Sequence, residues 1–149
     1  MRLNKLIIRL KRVYLLLRLT YRLRRIKPAG TISGKRYYAI LKDKLEELGC
    51  EAPIFIPDGD MKVYSKEDVR KYLKLDVVSE MVYSKKHDCD DFAAKLFGKF
   101  AGLVWTFVHA LNFFIDIDDI FWFIEPQTDK TSQKLDKWQG SKIRFFLGR

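Results

Sequence analysis

Three residues of types that carry out nucleophilic and acid–base chemistry follow one another along the second half of the chain. Cys89 opens a predicted helix, His109 lies in the apolar segment after it, and Glu125 lies in the next apolar segment. A thiol, an imidazole and a carboxylate in this order can form a nucleophile, a base that takes its proton and a group that orients the base. The set predicts a cysteine hydrolase that works through an acyl-enzyme.

The cysteine is predicted to lie in the first turn of its helix. Asp88 is a preferred N-cap residue, and Asp91 three positions later has the spacing of a capping box. A helix N-terminus lowers the pKa of a cysteine, whereas the three aspartates beside Cys89 act in the opposite direction. Two interpretations follow: an inert cysteine under a capping aspartate, or a thiolate paired with imidazolium. The predicted buried face of this helix consists of Cys89, Phe92, Ala93, Leu96, Phe97 and Phe100.

His109 and Glu125 are predicted to lie on a β-hairpin. Residues 104–115 are rich in β-branched and aromatic types and predict one long central strand, 116–119 a loop, and 120–125 the returning strand. Because side chains alternate between the two faces of a sheet, the loop length decides whether the pair shares a face. A five-residue loop places them opposite each other, a three-residue loop places them diagonally, and a four-residue loop separates them. The alternative for His109 is a hydrogen-bonded core residue.

Upstream elements complete a predicted α+β fold, in which the cysteine-bearing helix packs on a small antiparallel sheet. Residues 35–48 predict a helix, 53–57 a short strand and 61–64 an extended segment. Ser65 and Asp68 predict the start of a further helix that reaches about Leu75. The inward face predicted for the helix at 35–48 consists of Tyr38, Ile40, Leu41, Leu45 and Leu48.

The positive charge of the chain is concentrated at its beginning. Residues 1–27 hold ten of the 29 Lys and Arg residues and no acid, so the remaining 19 bases balance the 19 acids. We therefore divide the chain into a basic extension at 1–27, a linker at 28–34 and one domain at 35–149. Two cysteines in different contexts make neither a disulfide framework nor a metal knuckle, which favours a reducing, cytoplasmic setting.

The basic extension predicts an amphipathic helix. Its longest apolar run, Val13 to Leu17, is far shorter than the roughly 20 residues of a membrane span, and bases interrupt any signal-peptide core. An anionic membrane surface or a partner protein is the favoured ligand, nucleic acid ranks below them, and a solvated extension is the remaining alternative. Its apolar stripe consists of Leu3, Ile7, Leu10, Tyr14, Leu17 and Tyr21.

Three segments carry a resemblance to a known family: DCDDFA at 88–93, HALN at 109–112 and WFIEPQTD at 122–129. In this order they resemble the agglutinin C-terminal domain family, the papain-like cysteine protease module of a mushroom lectin, which has phage and bacterial relatives. The resemblance implies a papain-like fold and a peptide or protein substrate. It also implies that Cys89 is the nucleophile, His109 the base and Glu125 the third member of the site.

The same resemblance implies activation by calcium near the active site. The candidate ligands are Asp90, Asp91, Gln127 and Asp129. All four offer the hard oxygen donors that calcium prefers, and a bound cation would relieve the repulsion between carboxylates and a thiolate. The alternative is that the aspartates only cap the helix and face water.

Two features depart from the family pattern. Only twenty residues separate Cys89 from His109, and no glutamine that could bind an oxyanion lies shortly before the cysteine. Backbone N–H groups at the helix start could replace that glutamine. Bacterial transglutaminase-like peptidases share the Asp-Cys-Asp-Asp pattern, but the EPQTD segment favours the agglutinin-like family. A non-enzymatic alternative is an accessory or virion-associated scaffold attached through its basic helix.

Overall fold

A computed structural model describes residues 7–15, 17 and 26–149. Between residues 26 and 149 the chain forms three α-helices: α1 (Gly34–Glu47), α2 (Lys66–Leu75) and α3 (Cys89–Phe97). Short 3-10 helices span Val78–Glu80 and Lys137–Gln139. The strands are β1 (Gly30–Ser33), β2 (Ile54–Phe55), β3 (Asp60–Val63), β4 (Gly102–Thr106), β5 (Ala110–Ile115), β6 (Phe121–Glu125), β7 (Lys130–Ser132) and β8 (Ile143–Leu147).

The strands form two sheets. The main sheet has six strands in the order β2-β8-β4-β5-β6-β7, and its neighbouring strands are antiparallel except for the parallel pair β2 and β8. A second sheet consists of β1 and β3 in antiparallel pairing. Helices and a largely antiparallel sheet confirm the α+β class predicted from the sequence.

Helices cover both faces of the main sheet near its centre. One core lies between the sheet and α1, and a second lies between the opposite face and helices α2 and α3. Every residue of β5 is buried as a result, because its side chains alternate between the two cores. Phe113 contributes to the first core and Phe114 to the second. The expectation of a central strand buried on both faces is confirmed for this segment.

Two features near the start of the domain differ from the sequence-based expectation: the extent of the linker and the buried face of α1. Gly30–Ser33, within the segment expected to be a linker, forms β1 and pairs with Asp60–Val63. Its extended conformation suits the β-branched pair at positions 31 and 32. Helix α1 buries Tyr37 and exposes 47% of Tyr38, the reverse of the expectation, because its buried stripe is centred on Leu41, four residues after Tyr37.

The long strand expected at 104–115 is wrong, since the structure divides it into β4 and β5. The chain reverses after Thr106, whose hydroxyl accepts hydrogen bonds from the N–H groups of Val108 at 3.2 Å and His109 at 2.9 Å. This hydroxyl also donates to the carbonyl of Gln139 at 2.6 Å. A threonine that satisfies the N–H groups of the next residues favours a turn over a continued strand.

The basic extension is described only in part. Residues 7–15 and 17 are helical and exposed, residues 26 and 27 are described but not helical, and the remainder of the predicted helix at 1–27 lies outside the described residues. Among the residues that the structure describes, none of the helices has the length and apolarity needed to cross a membrane. The division into extension, linker and domain stays a prediction.

Replacing Asp129 by asparagine is expected to stabilise the protein slightly at neutral pH. Asp129 lies in the β6–β7 turn with φ 58°, a conformation that asparagine adopts readily, and its carboxylate accepts from Ser79 Oγ at 2.6 Å. Burial and the charges of Asp76 and Glu80 raise the pKa of Asp129, so the charged form opposes folding. We expect a gain on the order of 0.5 kcal/mol for this half-exposed group.

The pH dependence of this gain tests its cause. The raised pKa means that the wild-type protein loses stability as pH rises through the folded-state pKa of Asp129. Asp129→Asn is therefore expected to have a higher melting temperature than wild type at pH 7 and the same one in acid, when both are measured with chelator. A gain of equal size at both pH values would contradict the electrostatic explanation.

Candidate active site

Helix α3 places Cys89 at its first position. Asp88 is the N-cap, and its N–H donates to the Asp91 carboxylate at 3.2 Å within a capping box, as the spacing predicted. Phe92, Ala93 and Leu96 face the core, while Cys89 is half-buried. The thiol therefore lies where the buried face of the helix meets its N-terminal end, beside backbone N–H groups that have no partner within the helix.

Asn112 connects α3 to the main sheet through hydrogen bonds. Its side-chain amide lies on β5, is fully buried, and donates to the carbonyl of Ala93 in α3 and to that of Gly102 in β4, both at 3.0 Å. One amide group thus joins the cysteine helix to the two strands that flank His109. The position of Cys89 relative to His109 depends on this junction.

His109 follows the turn between β4 and β5 and comes directly before β5. Its side chain is only 7% exposed, and its ring packs against Trp138 with centroids 4.8 Å apart. The Thr106 turn fixes its backbone through the N–H described above. The histidine therefore stands at the end of a strand rather than in the middle of one.

The β5–β6 register brings His109 and Glu125 to the same face. Asn112 pairs with Ile124 and Ile115 with Phe121, which corresponds to the three-residue loop among the alternatives considered. Asp119 closes the loop with φ 61°, the left-handed conformation common in such loops. Glu125 is then diagonal to His109, and His109 Nε2 lies 2.9 Å from Glu125 Oε2.

Glu125 is held by a residue that the sequence interpretation missed. Gln139, at the end of the second 3-10 helix, donates from Nε2 to the same Glu125 oxygen at 2.8 Å. The other carboxylate oxygen accepts from the N–H of Gln127 at 3.3 Å. Gln139 Oε1 in turn accepts from the N–H of Asp136 at 2.8 Å, and this Asp-x-x-Gln capping box was the signal that could have revealed the residue.

Cys89 and His109 line the same cavity. It has a volume of about 250 Å³, and residues 105–108, at the end of β4 and in the turn after it, form other parts of its wall together with Arg144. The other histidine, His87, is not in this wall: its ring packs on Phe92, and its Nδ1 lies 3.6 Å from the Asp91 carboxylate. The structure thus brings the predicted thiol and imidazole to one cavity, with the predicted carboxylate behind the imidazole.

The acidic residues predicted as calcium ligands lie in different surroundings. Ligand atoms of Asp88, Cys89 and Asp90 lie within 4.8 Å of one another, the one such group of three among the described residues. A hydrogen bond with Asp90 and the repulsion of that neighbour raise the pKa of Asp88. The carboxylate of Asp91 is used in the capping box, and that of Asp129 accepts from Ser79.

Comparison with known proteins identifies the fold. A structure of Polyporus squamosus lectin bound to the human-type influenza-binding epitope Neu5Aca2-6Galb1-4GlcNAc aligns over 78% of this chain and 49% of that one, with TM-score 0.62 and 21% identity. A PSL1a–E64 complex aligns over 78% and 51%, with TM-score 0.59 and 22% identity. The chain shares its fold with part of these proteins.

This fold relation confirms the resemblance to a mushroom lectin domain at the level of architecture. The chain spans about half the length of the two solved proteins. No protein-family model matches the chain, and no curated protein sequence matches it. The papain-like family and the roles of the three site residues stay predictions.

Proposed function

We propose that the protein is a papain-like cysteine hydrolase that cleaves an amide bond of a peptide or protein. One observation carries the proposal: Cys89 and His109 line the same cavity, and the His109 ring is hydrogen-bonded to a buried carboxylate, Glu125, at 2.9 Å. A buried carboxylate behind a histidine is costly unless the pair is hydrogen-bonded, and here it holds the ring in one orientation. The E64 complex of a protein with the same fold gives this reading additional support.

In the proposed mechanism each nitrogen of His109 has a distinct role. Nε2 faces Glu125, so Nδ1 is the nitrogen left to take the proton of the Cys89 thiol. The thiolate attacks the amide carbonyl, and the imidazolium returns its proton to the leaving amine as the carbon–nitrogen bond breaks. Water then attacks the thioester with His109 as base, which releases the acid and restores the thiol. Unpaired N–H groups at the start of α3 would stabilise the oxyanion.

E64, an epoxide that alkylates nucleophilic thiols, tests this function directly. We expect a stoichiometric adduct on Cys89, located by peptide mass spectrometry, and none on Cys50. Cys89→Ala should lack the adduct and should not hydrolyse casein, whereas Cys50→Ala should retain both properties. Absence of an adduct on Cys89, together with absence of casein hydrolysis, with or without calcium, would contradict the proposal.

Calcium binding at the start of α3 is a second part of the proposal. The carboxylates of Asp88 and Asp90 fit a calcium ion in donor type, and their mutual proximity raises the pKa of Asp88. Of the other predicted ligands, Asp91 would contribute from the same helical turn, and Gln127 and Asp129 would contribute from the β6–β7 turn. A bound ion would supply positive charge that offsets these carboxylates beside the thiol.

Thermal unfolding with calcium or chelator tests this part. We expect calcium to raise the melting temperature of the wild-type protein and of Asp58→Asn, an exposed aspartate in another turn. The increase should be smaller in Asp90→Asn. An equal increase in Asp90→Asn and the wild-type protein would contradict binding at this end of the helix.

The exposed basic helix favours a second candidate function, attachment to an anionic membrane. Apolar residues of its described part are exposed to water, from 43% for Ile7 to 65% for Leu17, and bases such as Arg9 and Arg12 lie among them. Apolar side chains that enter the interface together with bases that meet anionic head groups are the two requirements for such binding. In this case the domain acts as a scaffold or as an anchored hydrolase.

Vesicle sedimentation tests whether the basic helix attaches the protein to an anionic membrane. We expect the full chain to bind vesicles that contain phosphatidylserine, and to bind them more weakly in high salt or when the lipid is phosphatidylcholine alone. Leu10→Asp should reduce binding at least about tenfold, since it removes one apolar contact and adds repulsion. Val82→Asp makes the same charge change at a residue that is 83% exposed on the domain, and should bind normally. Equal binding by Leu10→Asp and Val82→Asp would contradict membrane attachment through the helix.

A further inference from the structure

We propose that Arg144 forms an anion subsite in the cavity of Cys89 and His109, and that this subsite selects peptides with an acidic side chain next to the scissile bond. The inference rests on the proposed hydrolase function and names the substrate class for it. Arg144 belongs to the cavity wall together with Trp105 and Phe107. The side chain is exposed, so it can meet a peptide that enters the cavity.

A strand irregularity accounts for the placement of Arg144. On β8, Phe145 pairs with Trp105 and Ile143 pairs with Thr106, so Arg144 lies between these pairs without a partner on β4. Such a bulge changes the direction of the side chain at the extra residue and is common beside active sites. Here it accompanies the entry of a guanidinium into the wall of the cavity.

Two aromatic rings hold the guanidinium in place. Arg144 Cζ lies 5.8 Å from the ring centroid of Trp105 and 5.8 Å from that of Phe107. Contact with aromatic faces orients the planar group and leaves its N–H donors available for a carboxylate, which they can bind in a bidentate manner. Because this side chain is already ordered, it loses less conformational entropy when an anion binds than a mobile arginine would.

The charge of Arg144 is not neutralised within the described part of the chain. Among the ion pairs of the described residues, none includes Arg144 within 4.0 Å of a carboxylate. Asp90 is the acid in the cavity wall, and its carboxylate lies beside that of Asp88 rather than in an ion pair with Arg144. A ligand that carries a carboxylate would pair with the exposed guanidinium of Arg144.

The size of the cavity favours a side chain close to the reacting carbonyl. A volume of about 250 Å³ holds roughly one or two amino-acid residues, and Cys89 and Arg144 both belong to its wall. The carboxylate recognised by Arg144 must therefore be near the bond attacked by the thiol. An aspartate or glutamate side chain meets this requirement.

Matched affinity labels test the subsite without knowledge of the natural substrate. Two dipeptidyl chloromethyl ketones that differ only in glutamate or glutamine next to the reactive carbon are compared by their rates of alkylation at Cys89. We expect the glutamate probe to react about tenfold faster with the wild-type protein, in line with one charge-assisted contact. Arg144→Gln should abolish this preference, and Lys142→Gln, an equal charge change at an exposed neighbour outside the cavity wall, should keep it.

The outcomes distinguish the subsite from the hydrolase proposal. Equal rates for the two probes, a faster glutamine probe, or an unchanged preference in Arg144→Gln would overturn the subsite alone. The iodoacetamide reactivity of Cys89, measured in each variant, reports on the thiol independently of the peptide. If neither probe nor iodoacetamide labels Cys89 in the wild-type protein, both proposals fall. Preference for glutamate that depends on Arg144 supports the subsite.

Discussion

Replacing His109 by alanine is expected to lower peptide hydrolysis at least about a thousandfold, because no other base reaches the thiol in the proposed mechanism. His109 is the histidine in the cavity wall, and its Nε2 is already engaged by Glu125. The loss should appear in kcat, since the substitution enlarges the cavity without removing the residues proposed to bind the peptide. The loss of kcat is measured by steady-state hydrolysis of a peptide with the sequence of the affinity label that reacts fastest.

A second histidine supplies the matched control for this substitution. His87 lies two residues before Cys89 but is turned toward Phe92 and Asp91. His87→Ala should therefore keep most of the activity. Glu125→Gln should give an intermediate loss, because an amide can still contact the ring but cannot balance its positive charge. Equal activity of His109→Ala and His87→Ala would contradict the assignment of the base.

Replacing Asn112 by aspartate is expected to destabilise the fold by about 3 kcal/mol or more at neutral pH, the cost of a buried charge without a donor. The wild-type amide donates to the carbonyls of Ala93 and Gly102, and a carboxylate of the same shape would face both oxygens with its own. Because Asn112 is fully buried, water cannot relieve this repulsion. Urea unfolding measured against the wild-type protein gives the difference.

The pH dependence of this difference identifies its cause. Burial raises the pKa of an introduced carboxyl, so the variant is expected to recover part of its stability as pH falls through that value and the group regains a donor. Asn112→Ala carries no charge, and its deficit should not change with pH. A pH-independent deficit in Asn112→Asp would indicate lost packing instead, and the role assigned to the amide would be wrong.

The elements that carry the site were largely predictable because short-range signals fixed them. The capping pair Asp88 and Asp91 indicated where α3 begins, and the structure starts the helix at Cys89. Alternation and loop length restricted the β5–β6 register to a few alternatives. One of them, the three-residue loop, is the one observed, and it brings His109 to Glu125.

The remaining parts depend on contacts between distant segments. Thr106 stops β4 partly through its bond to the carbonyl of Gln139, 33 residues away, so periodicity alone suggested one long strand. Gln139 reaches Glu125 only after the chain passes β7, and β8 inserts between β2 and β4. The cavity wall at Arg144 depends on the same late strand. The capping box of Asp136 and Gln139 is a local pattern that marks Gln139, but it does not indicate the distant partner Glu125.

The central claim is that the thiol of Cys89 is activated by the His109–Glu125 pair, and its most direct test compares the two cysteines of the chain. Cys89 and Cys50 are both half-buried, so Cys50 is an internal reference for access of the reagent. The folded protein is treated with iodoacetamide at neutral pH, and each site is quantified by peptide mass spectrometry. We predict that Cys89 reacts at least about tenfold faster than Cys50, as a thiolate paired with imidazolium should. Equal or slower reaction at Cys89, with calcium and with chelator, would contradict the account.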